Sequence, residues 1–302
     1  MQDDAIPLAL DRQERLINFS RLLWSSEGTA WSGFRMERRR IGPLGRLAEF
    51  SVPDNLLGLC VSGSAQLTIG GGAHMERRLA RPGRFVLLAS GDAQVPIEWE
   101  GTRETLYLAM EGEQVDRLLG PEVRIAGSRS AIRLKPQFAV ADRQVARLMM
   151  NMSEEVAAGC PAGRLYGEAL SVALADYLMI TYGCGDRAPA SPGGRLSRGM
   201  TARVVEFMQA HLDRNISLVE LAGLVDLSPH HFSFVFKNTF GTTPHRYLLQ
   251  QRVEKAKTLL ASGKQSIGDA ALEVGFANQS HFTRMFRRLS GETPHAWRRA
   301  RS

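Results

Sequence analysis

The spacing of apolar residues changes along the chain and separates a β-rich stretch from helical ones. Between about residues 40 and 112, short runs of β-branched and apolar residues recur at 56–61, 65–69, 84–88, 95–99 and 105–110. Turn residues separate these runs at 70–72, 81–83 and 90–92. Short strands at such intervals, with turns between them, are typical of an antiparallel sandwich or barrel. We therefore predict an antiparallel β region in the amino-terminal half.

A helical hairpin is predicted after the sheet, at about 137–182. Apolar residues follow the period of a helix in 140–158 and again in 164–182. Pro161 and Gly163 lie between the two helices and separate them. The apolar stripe of the second helix consists of Leu165, Ala169, Val172, Ala173, Tyr177 and Ile180. This helix is a candidate for pairing two copies of the chain, although the stripe is equally consistent with packing inside its own domain.

Residues 183–195 are rich in glycine and proline and predict a linker, because these residues end helices and contribute little to a core. We therefore divide the chain into a domain at 1–183, a linker at 184–198 and a second domain at 199–302. The second domain repeats itself, first with an offset of 49 residues from Ser217 onward and then with an offset of 50 from His231 onward. This indicates two copies of a small helical unit, with one extra residue in the turn of the second copy.

Each copy carries the end signals of two short helices. Ser217 with Glu220, and Ser266 with Asp269, have the spacing of a capping box at the first helix. A Ser-Pro pair at 228–229 supplies the cap and first residue of the next helix in the first copy. Two short helices joined by a tight turn form a helix-turn-helix.

We predict helix-turn-helix units at about 217–240 and 266–289, joined by a helix at about 244–262. At about 1.5 Å per residue the joining helix would be ~27 Å long. This length allows two recognition helices to lie about one turn of DNA, ~34 Å, apart. One chain would then read two successive major grooves.

The positive charge of the chain is concentrated in this second domain. The protein has 38 Lys and Arg against 31 Asp and Glu, a net charge of +7 and a pI near 9.7. Residues 195–302 hold 16 basic and 8 acidic residues, which leaves 22 and 23 for the rest, or +8 against −1. A basic module attached to a neutral one indicates a polyanionic partner for the basic module alone.

The helix face opposite the apolar positions carries the candidate DNA-binding side chains. In the second copy no acidic residue occurs between Glu273 and Glu292. Arginine can bind guanine through two hydrogen bonds and glutamine can bind adenine, whereas other basic side chains contact phosphate. The predicted contacts with double-stranded DNA are His230, Ser233, Phe234 and Lys237 in the first copy, and Asn278, Gln279, Ser280, Thr283, Arg284, Arg287 and Arg288 in the second. Phe234 stands where the repeat has Arg284, and it either packs on a neighbouring helix or contacts a thymine methyl group.

The stretch 216–297 closely resembles the DNA-binding domain of the AraC/XylS family of bacterial transcription regulators. The resemblance is carried by Leu221, Ala222, Leu227, Ser228, Phe236, Lys237, Gly241, Pro244, Arg252, Ala256, Leu259 and Leu260, and most specifically by Val-Gly-Phe at 274–276, Gln-Ser-His-Phe-Thr-Arg at 279–284, Phe286, Gly291 and Thr-Pro at 293–294. It implies that the second helix of each unit enters the major groove. Phe234 departs from the family pattern, which often has arginine there.

The resemblance also implies an α+β protein of two domains. The amino-terminal domain would be a cupin-like antiparallel β sandwich or barrel with a helical hairpin, used for effector sensing and dimerisation, and the carboxy-terminal domain an all-α double helix-turn-helix. Family precedent implies an effector-responsive activator that acts with RNA polymerase in the bacterial cytoplasm, at the nucleoid. The sequence assigns no effector-binding residue.

Other functional classes have less support. An architectural DNA binder without effector would leave the neutral domain without a role. A cysteine-dependent DNA-repair regulator would need clustered cysteines, whereas Cys60, Cys160 and Cys184 are widely spaced and are expected to be packing residues. His74 has no second histidine beside it, so we predict a loop histidine, no metal and no cofactor. Because nucleotide-binding and hydrolase motifs are absent, we predict that the protein is not an enzyme. The apolar runs are shorter than the roughly 20 residues of a membrane helix, so we predict no membrane segment.

Overall fold

A computed structural model describes residues 20–48, 50–71, 74–90, 94–120, 133–184, 194–263 and 265–301. These residues form two compact units. The first unit takes in the described parts of Met1–Thr29, Phe34–Glu154 and Ala173–Pro189. The second takes in Ala30–Gly33, Glu155–Val172 and the described part of Ala190–Ser302. This division differs from the predicted one at 184–198, most of which lies outside the described residues.

Two antiparallel sheets form the first unit. One has six strands in the order β1-β2-β9-β4-β7-β10, and the other has four in the order β3-β8-β5-β6. The strands are β1 (Ser20–Ser25), β2 (Arg35–Ile41), β3 (Leu44–Leu47), β4 (Asn55–Gly63), β5 (Ala65–Gly71), β6 (His74–Ala80), β7 (Arg84–Leu88), β8 (Ile97–Glu100), β9 (Arg103–Met110) and β10 (Gln137–Ala141). Apolar residues from both sheets, including Ile41, Leu56, Leu67 and Trp99, form one buried cluster.

The predicted β region is confirmed, but half of its strands, β1, β2, β3, β6 and β10, were not anticipated. Strand β2 shows why, because its sequence Arg-Met-Glu-Arg-Arg-Arg-Ile is mostly charged. Glu104 on the neighbouring strand β9 accepts from both Arg38, at 2.7 Å, and Arg40, at 2.8 Å. The buried Glu37 carboxylate pairs with Arg39 at 2.8 Å. Ion pairs therefore compensate the charges of β2. Because of these charges, the strand has no apolar alternation from which it could be predicted.

Helices α1 (Gly112–Leu119), α2 (Arg143–Ala157) and α3 (Arg164–Tyr182) follow the sheets. The predicted hairpin is present, but residues 137–141 belong to β10 rather than to the first helix. Asp142 begins α2, since its Oδ1 accepts from the backbone N–H groups of Gln144 and Val145 at 2.8 and 3.1 Å. The predicted apolar stripe of α3 was partly wrong: Ala173 and Ile180 are exposed, whereas Leu174 and Leu178 are buried.

Helices make up nearly all of the rest of the second unit. They are α4 (Arg198–Ala210), α5 (Leu218–Gly223), α6 (Pro229–Phe240), α7 (Pro244–Ala261), α8 (Ile267–Glu273), α9 (Gln279–Ser290) and α10 (Pro294–Arg299). Both predicted two-helix units and the helix between them are therefore present. Among the helices of the described ranges, none combines the length and the apolar character needed to cross a membrane.

Candidate nucleic-acid interface

The two helical units repeat each other down to single hydrogen bonds in their turns. The N–H of Leu227 donates to the carbonyl of Ala222 at 3.1 Å, and Phe276, 49 residues later, donates to Ala271 at 3.0 Å. Just before these donors, the chain takes a left-handed conformation at Asp226 and again at Gly275, with φ of 56° and 81°.

The offset then changes to 50, because α6 is capped by Ser228 and α9 by Asn278. The extra residue of the second copy therefore lies between Phe276 and Asn278. The side chains of the two caps accept from the N–H groups of His231, at 3.2 Å, and His281, at 2.8 Å. This confirms the predicted cap at Ser228 and the extra turn residue.

Both recognition-type helices are fixed by an aromatic pair on their inner face. Phe232 and Phe236 in α6, and Phe282 and Phe286 in α9, are fully buried. The ring centroids are 5.5 Å apart within each pair. Because residues four apart share one face of a helix, the opposite face of each helix is directed away from the core.

The outer face of α9 forms one continuous polar surface, which we call the α9 surface. Gln279, Ser280, Arg284, Arg287 and Arg288 are exposed, and Thr283 is half-buried. All six line a single open depression together with Gly291 and Thr293, and no acidic side chain is among these lining residues. The structure thus brings together the predicted second-copy residues other than Asn278, whose side chain caps the helix.

The corresponding face of α6 is less open. His230, a predicted DNA contact on this face, is buried with 8% of its surface accessible, which disfavours that contact. The residue lies in the first turn of α6, directly after the buried Pro229. Ser233 and Phe234 are half-buried, and Lys237 is exposed. The two interpretations of Phe234 remain predictions.

A buried carboxylate behind α9 was not anticipated from the sequence. Glu155, at the end of α2, accepts from the N–H of Ala162 at 2.5 Å. Burial raises the pKa of Glu155, and the hydrogen bond from Ala162 and the positive charge of Arg284 oppose this rise. A predicted DNA contact therefore lies within electrostatic range of an acidic group of the protein itself.

Two histidines pack against the loop that joins α2 to α3. Burial, and next the charge of Arg284, lower the pKa of His281 to about 4, while a hydrogen bond to the carbonyl of Pro161 acts in the opposite direction. Burial and the charge of Arg252 lower the pKa of His245 to about 3. The ring of His245 lies 4.7 Å from that of Tyr166. Both histidines are therefore neutral at pH 7.

Arg252 connects the segment between α4 and α5 with the turn of the second helix-turn-helix unit. It is buried in α7, and its Nε and Nη2 donate to the carbonyls of Leu212, at 2.9 Å, and Arg214, at 2.7 Å. Its guanidinium carbon also lies 5.9 Å from the ring centre of Phe276, which belongs to the turn of the second helix-turn-helix unit. Burial lowers the pKa of Arg252 to about 10, so it keeps its charge at neutral pH.

The cysteines differ in burial. The thiol of Cys60 is buried as expected, and burial raises its pKa, which opposes formation of a reactive thiolate. Cys160 is buried too, but Cys184 is exposed, so its assignment as a packing residue was wrong. His74 begins strand β6 instead of lying in a loop. No group of three or more potential metal ligands occurs in the part of the chain that the structure describes.

Helices α5 and α6 form one helix-turn-helix, and α8 and α9 form another. The second compact unit therefore contains two such motifs. Residues 221–300 match the protein family described as helix-turn-helix domain. This region of the chain is a DNA-binding domain of the AraC/XylS family.

Part of the chain is similar to named relatives and to a solved structure. Over 88 residues the chain is 38% identical to the probable transcriptional regulator LumQ of Photobacterium leiognathi, covering 29% of this chain and 36% of that protein. Over 95 residues it is 34% identical to the bifunctional transcriptional activator/DNA repair enzyme AdaA of Bacillus subtilis, covering 32% and 45%. A solved transcriptional regulator with an AraC-type DNA-binding domain from Chromobacterium violaceum is 28% identical, covers 35% of this chain and 94% of that one, and has a TM-score of 0.34. The chain thus spans less than half the length of these two curated relatives.

Proposed function

We propose that the protein is a sequence-specific DNA-binding regulator of transcription. The observation that carries this proposal is the α9 surface, where six polar or basic side chains line one depression without an acidic neighbour among the lining residues. An ordinary solvated helix face mixes both signs of charge, whereas a surface of this composition favours a polyanion. The match to a helix-turn-helix domain favours DNA over other polyanions.

Within this proposal, α6 and α9 enter successive major grooves. Gln279, Ser280, Thr283 and Arg284 read base edges from the first turns of α9, and Arg287 and Arg288 contact phosphates. In the first helix-turn-helix unit, Ser233 and Phe234 face the bases and Lys237 contacts a phosphate. The buried His230 makes no base contact in this arrangement.

The test is a footprint of the full chain on DNA selected from a random pool. We expect two protected half-sites about 10 base pairs apart on one face of the duplex. Protection of one half-site alone would overturn the two-groove arrangement. Equal affinity for selected and random DNA would overturn sequence-specific binding itself.

We further propose that the first unit is a cupin-like sensor and that a small molecule bound there changes the affinity of the chain for DNA. This gives the sandwich a role that an effector-independent DNA binder would leave unassigned. The protein would activate transcription with RNA polymerase, as a homodimer. In vitro transcription with and without candidate effectors tests activation, and sedimentation equilibrium at micromolar concentration tests dimerisation; a monomer there would contradict the dimer.

A further inference from the structure

The interior of the β sandwich contains a cavity with an unusual distribution of charge. The cavity lies between the two sheets and has a volume of about 70 Å³. Most of its wall is apolar, with Leu56, Leu67, Ile97 and Trp99 among the lining residues. A space of this size accommodates several waters or a small organic molecule.

One side of the cavity is polar because of the alternation of side chains along β9. Arg103, Thr105 and Tyr107 occupy every second position of that strand, so they share one face, and all three line the cavity. Gly58 lies opposite Tyr107 on β4. A side chain there would approach within 2.9 Å of the Tyr107 ring, so the glycine leaves room for that ring beside the cavity.

Two arginines, Arg84 and Arg103, line this cavity. Arg84 Nε and Arg103 Nη1 are buried and have no hydrogen-bond acceptor. No acidic residue is among the described residues that line the cavity. Burying unpaired donors of charged groups is costly unless an acceptor occupies the space beside them. An anion beside them would accept from these donors and would also compensate the positive charge.

We propose that this cavity binds a small organic carboxylate, with its carboxylate held by Arg84 and Arg103 and its apolar body against Leu56, Leu67 and Trp99. Carboxylates match the fork of donors that arginine presents. The guanidinium groups repel an amine. A neutral ligand leaves their charge uncompensated, and a nucleotide exceeds the space. The inference rests on the proposed sensing function, for which it supplies the chemical class of the effector.

The site is connected to the helices that follow the sheet. Arg84 Nη1 donates to the carbonyl of Ala139 at 3.0 Å, and Ala139 lies at an irregularity of β10 with a left-handed φ of 50°. Asp142, directly after β10, accepts from the phenol groups of Tyr177 and Tyr182 of α3 at 2.8 Å each. A ligand that forms an ion pair with Arg84 therefore acts on β10, the strand that positions α2 and α3.

The test measures binding to the full chain by calorimetry in the absence of DNA. The probes are hexanoate and phenylacetate, with the neutral hexanamide and phenylacetamide as matched compounds. We expect binding of at least one acid and at least about tenfold weaker binding of its amide. Arg84→Gln and Arg103→Gln should each weaken the acid by about tenfold or more, and Arg77→Gln, an exposed arginine of β6 outside the cavity, should not.

Equal binding of acid and amide, or no effect of either cavity substitution in a folded variant, overturns the proposal. Thermal unfolding of each variant identifies one that does not fold, and the other arginine then provides the test. Failure of both acids to bind also overturns it. The proposed function fails separately: an acid that binds without changing DNA affinity leaves the carboxylate site intact and removes its role in regulation.

Discussion

Glu168 of helix α3 caps helix α5, which lies 50 residues further along the chain: its Oε2 accepts from the backbone N–H of Leu218 at 2.6 Å and of Val219 at 3.4 Å. Glu168 is fully buried. The first N–H groups of a helix have no partner within the helix, and a carboxylate there also interacts favourably with the helix dipole. The first helix-turn-helix unit therefore depends on a residue outside the sequence region that matches the family.

We predict that Glu168→Ala destabilises the second unit, because the buried N–H of Leu218 loses its acceptor, at a cost of about 1–3 kcal/mol. Hydrogen exchange at the amides of Leu218 and Val219 should accelerate, and the urea midpoint should fall. Glu168→Gln retains an acceptor oxygen and should cost less. Unchanged exchange at these two amides in the Ala variant would contradict the capping role.

The DNA-binding residues predict two different kinds of loss. Arg284→Ala should cost about 1–3 kcal/mol at one base pair of the selected site and relax the preference there, because a base contact carries sequence information. Lys237→Ala should weaken all sequences alike and reduce the salt dependence, because a phosphate contact does not. Fluorescence anisotropy on selected and random duplexes separates the two. Equal losses for Arg284→Ala on both duplexes would reject its assignment to a base.

Much of this site could be predicted from the sequence, because residues that begin or end helices recur at equivalent positions of the two copies. The start of α6 is marked by Ser228 and Pro229, and its end by Gly241. The structure has α6 between those residues. The burial of His230 could not be predicted, because helical spacing gives the direction of a side chain around the helix axis but not which residues pack against it. Glu155 and Glu168 were missed for a related reason: their partners lie in a loop and in a distant helix, and no spacing pattern encodes such contacts. Strand β2 was missed because cross-strand ion pairs replace the apolar alternation.

The position of Glu155 predicts a substitution that strengthens DNA binding. Glu155→Gln removes a negative charge within range of Arg284 but retains an oxygen for the N–H of Ala162. We expect affinity for DNA to rise by about 0.5–1 kcal/mol at low salt, on selected and random sequences, and less at high salt. Glu154→Gln, an exposed neighbour with the same change in net charge, is the control. The same gain in both variants would mean that only net charge matters.

His281 and His245 predict a loss of stability in mild acid. Their folded pKa values, about 4 for His281 and about 3 for His245, lie below the ordinary 6.5, so the unfolded chain binds more protons between pH 6.5 and those values. The stability of the folded state is then complete above about pH 6.5 and falls as the pH drops towards 4. Urea midpoints at pH 7.5, 6 and 5 measure the slope. His281→Asn should make it shallower, and an unchanged slope would remove His281 as a cause.

The repeated turns predict responses of different size to substitution at equivalent positions. A side chain at Gly275 would collide with the carbonyl of Leu212 and approach Arg252 Nη2 within 2.7 Å, and its φ of 81° already disfavours any residue with a Cβ. Gly275→Ala should therefore cost about 2 kcal/mol or more and disturb the contact of Arg252. At Asp226, where φ is 56°, Asp226→Gly relieves the backbone and should change stability by no more than about 1 kcal/mol. Urea unfolding of both variants compares them. Equal destabilisation would mean that backbone conformation and space at these turns do not decide the outcome.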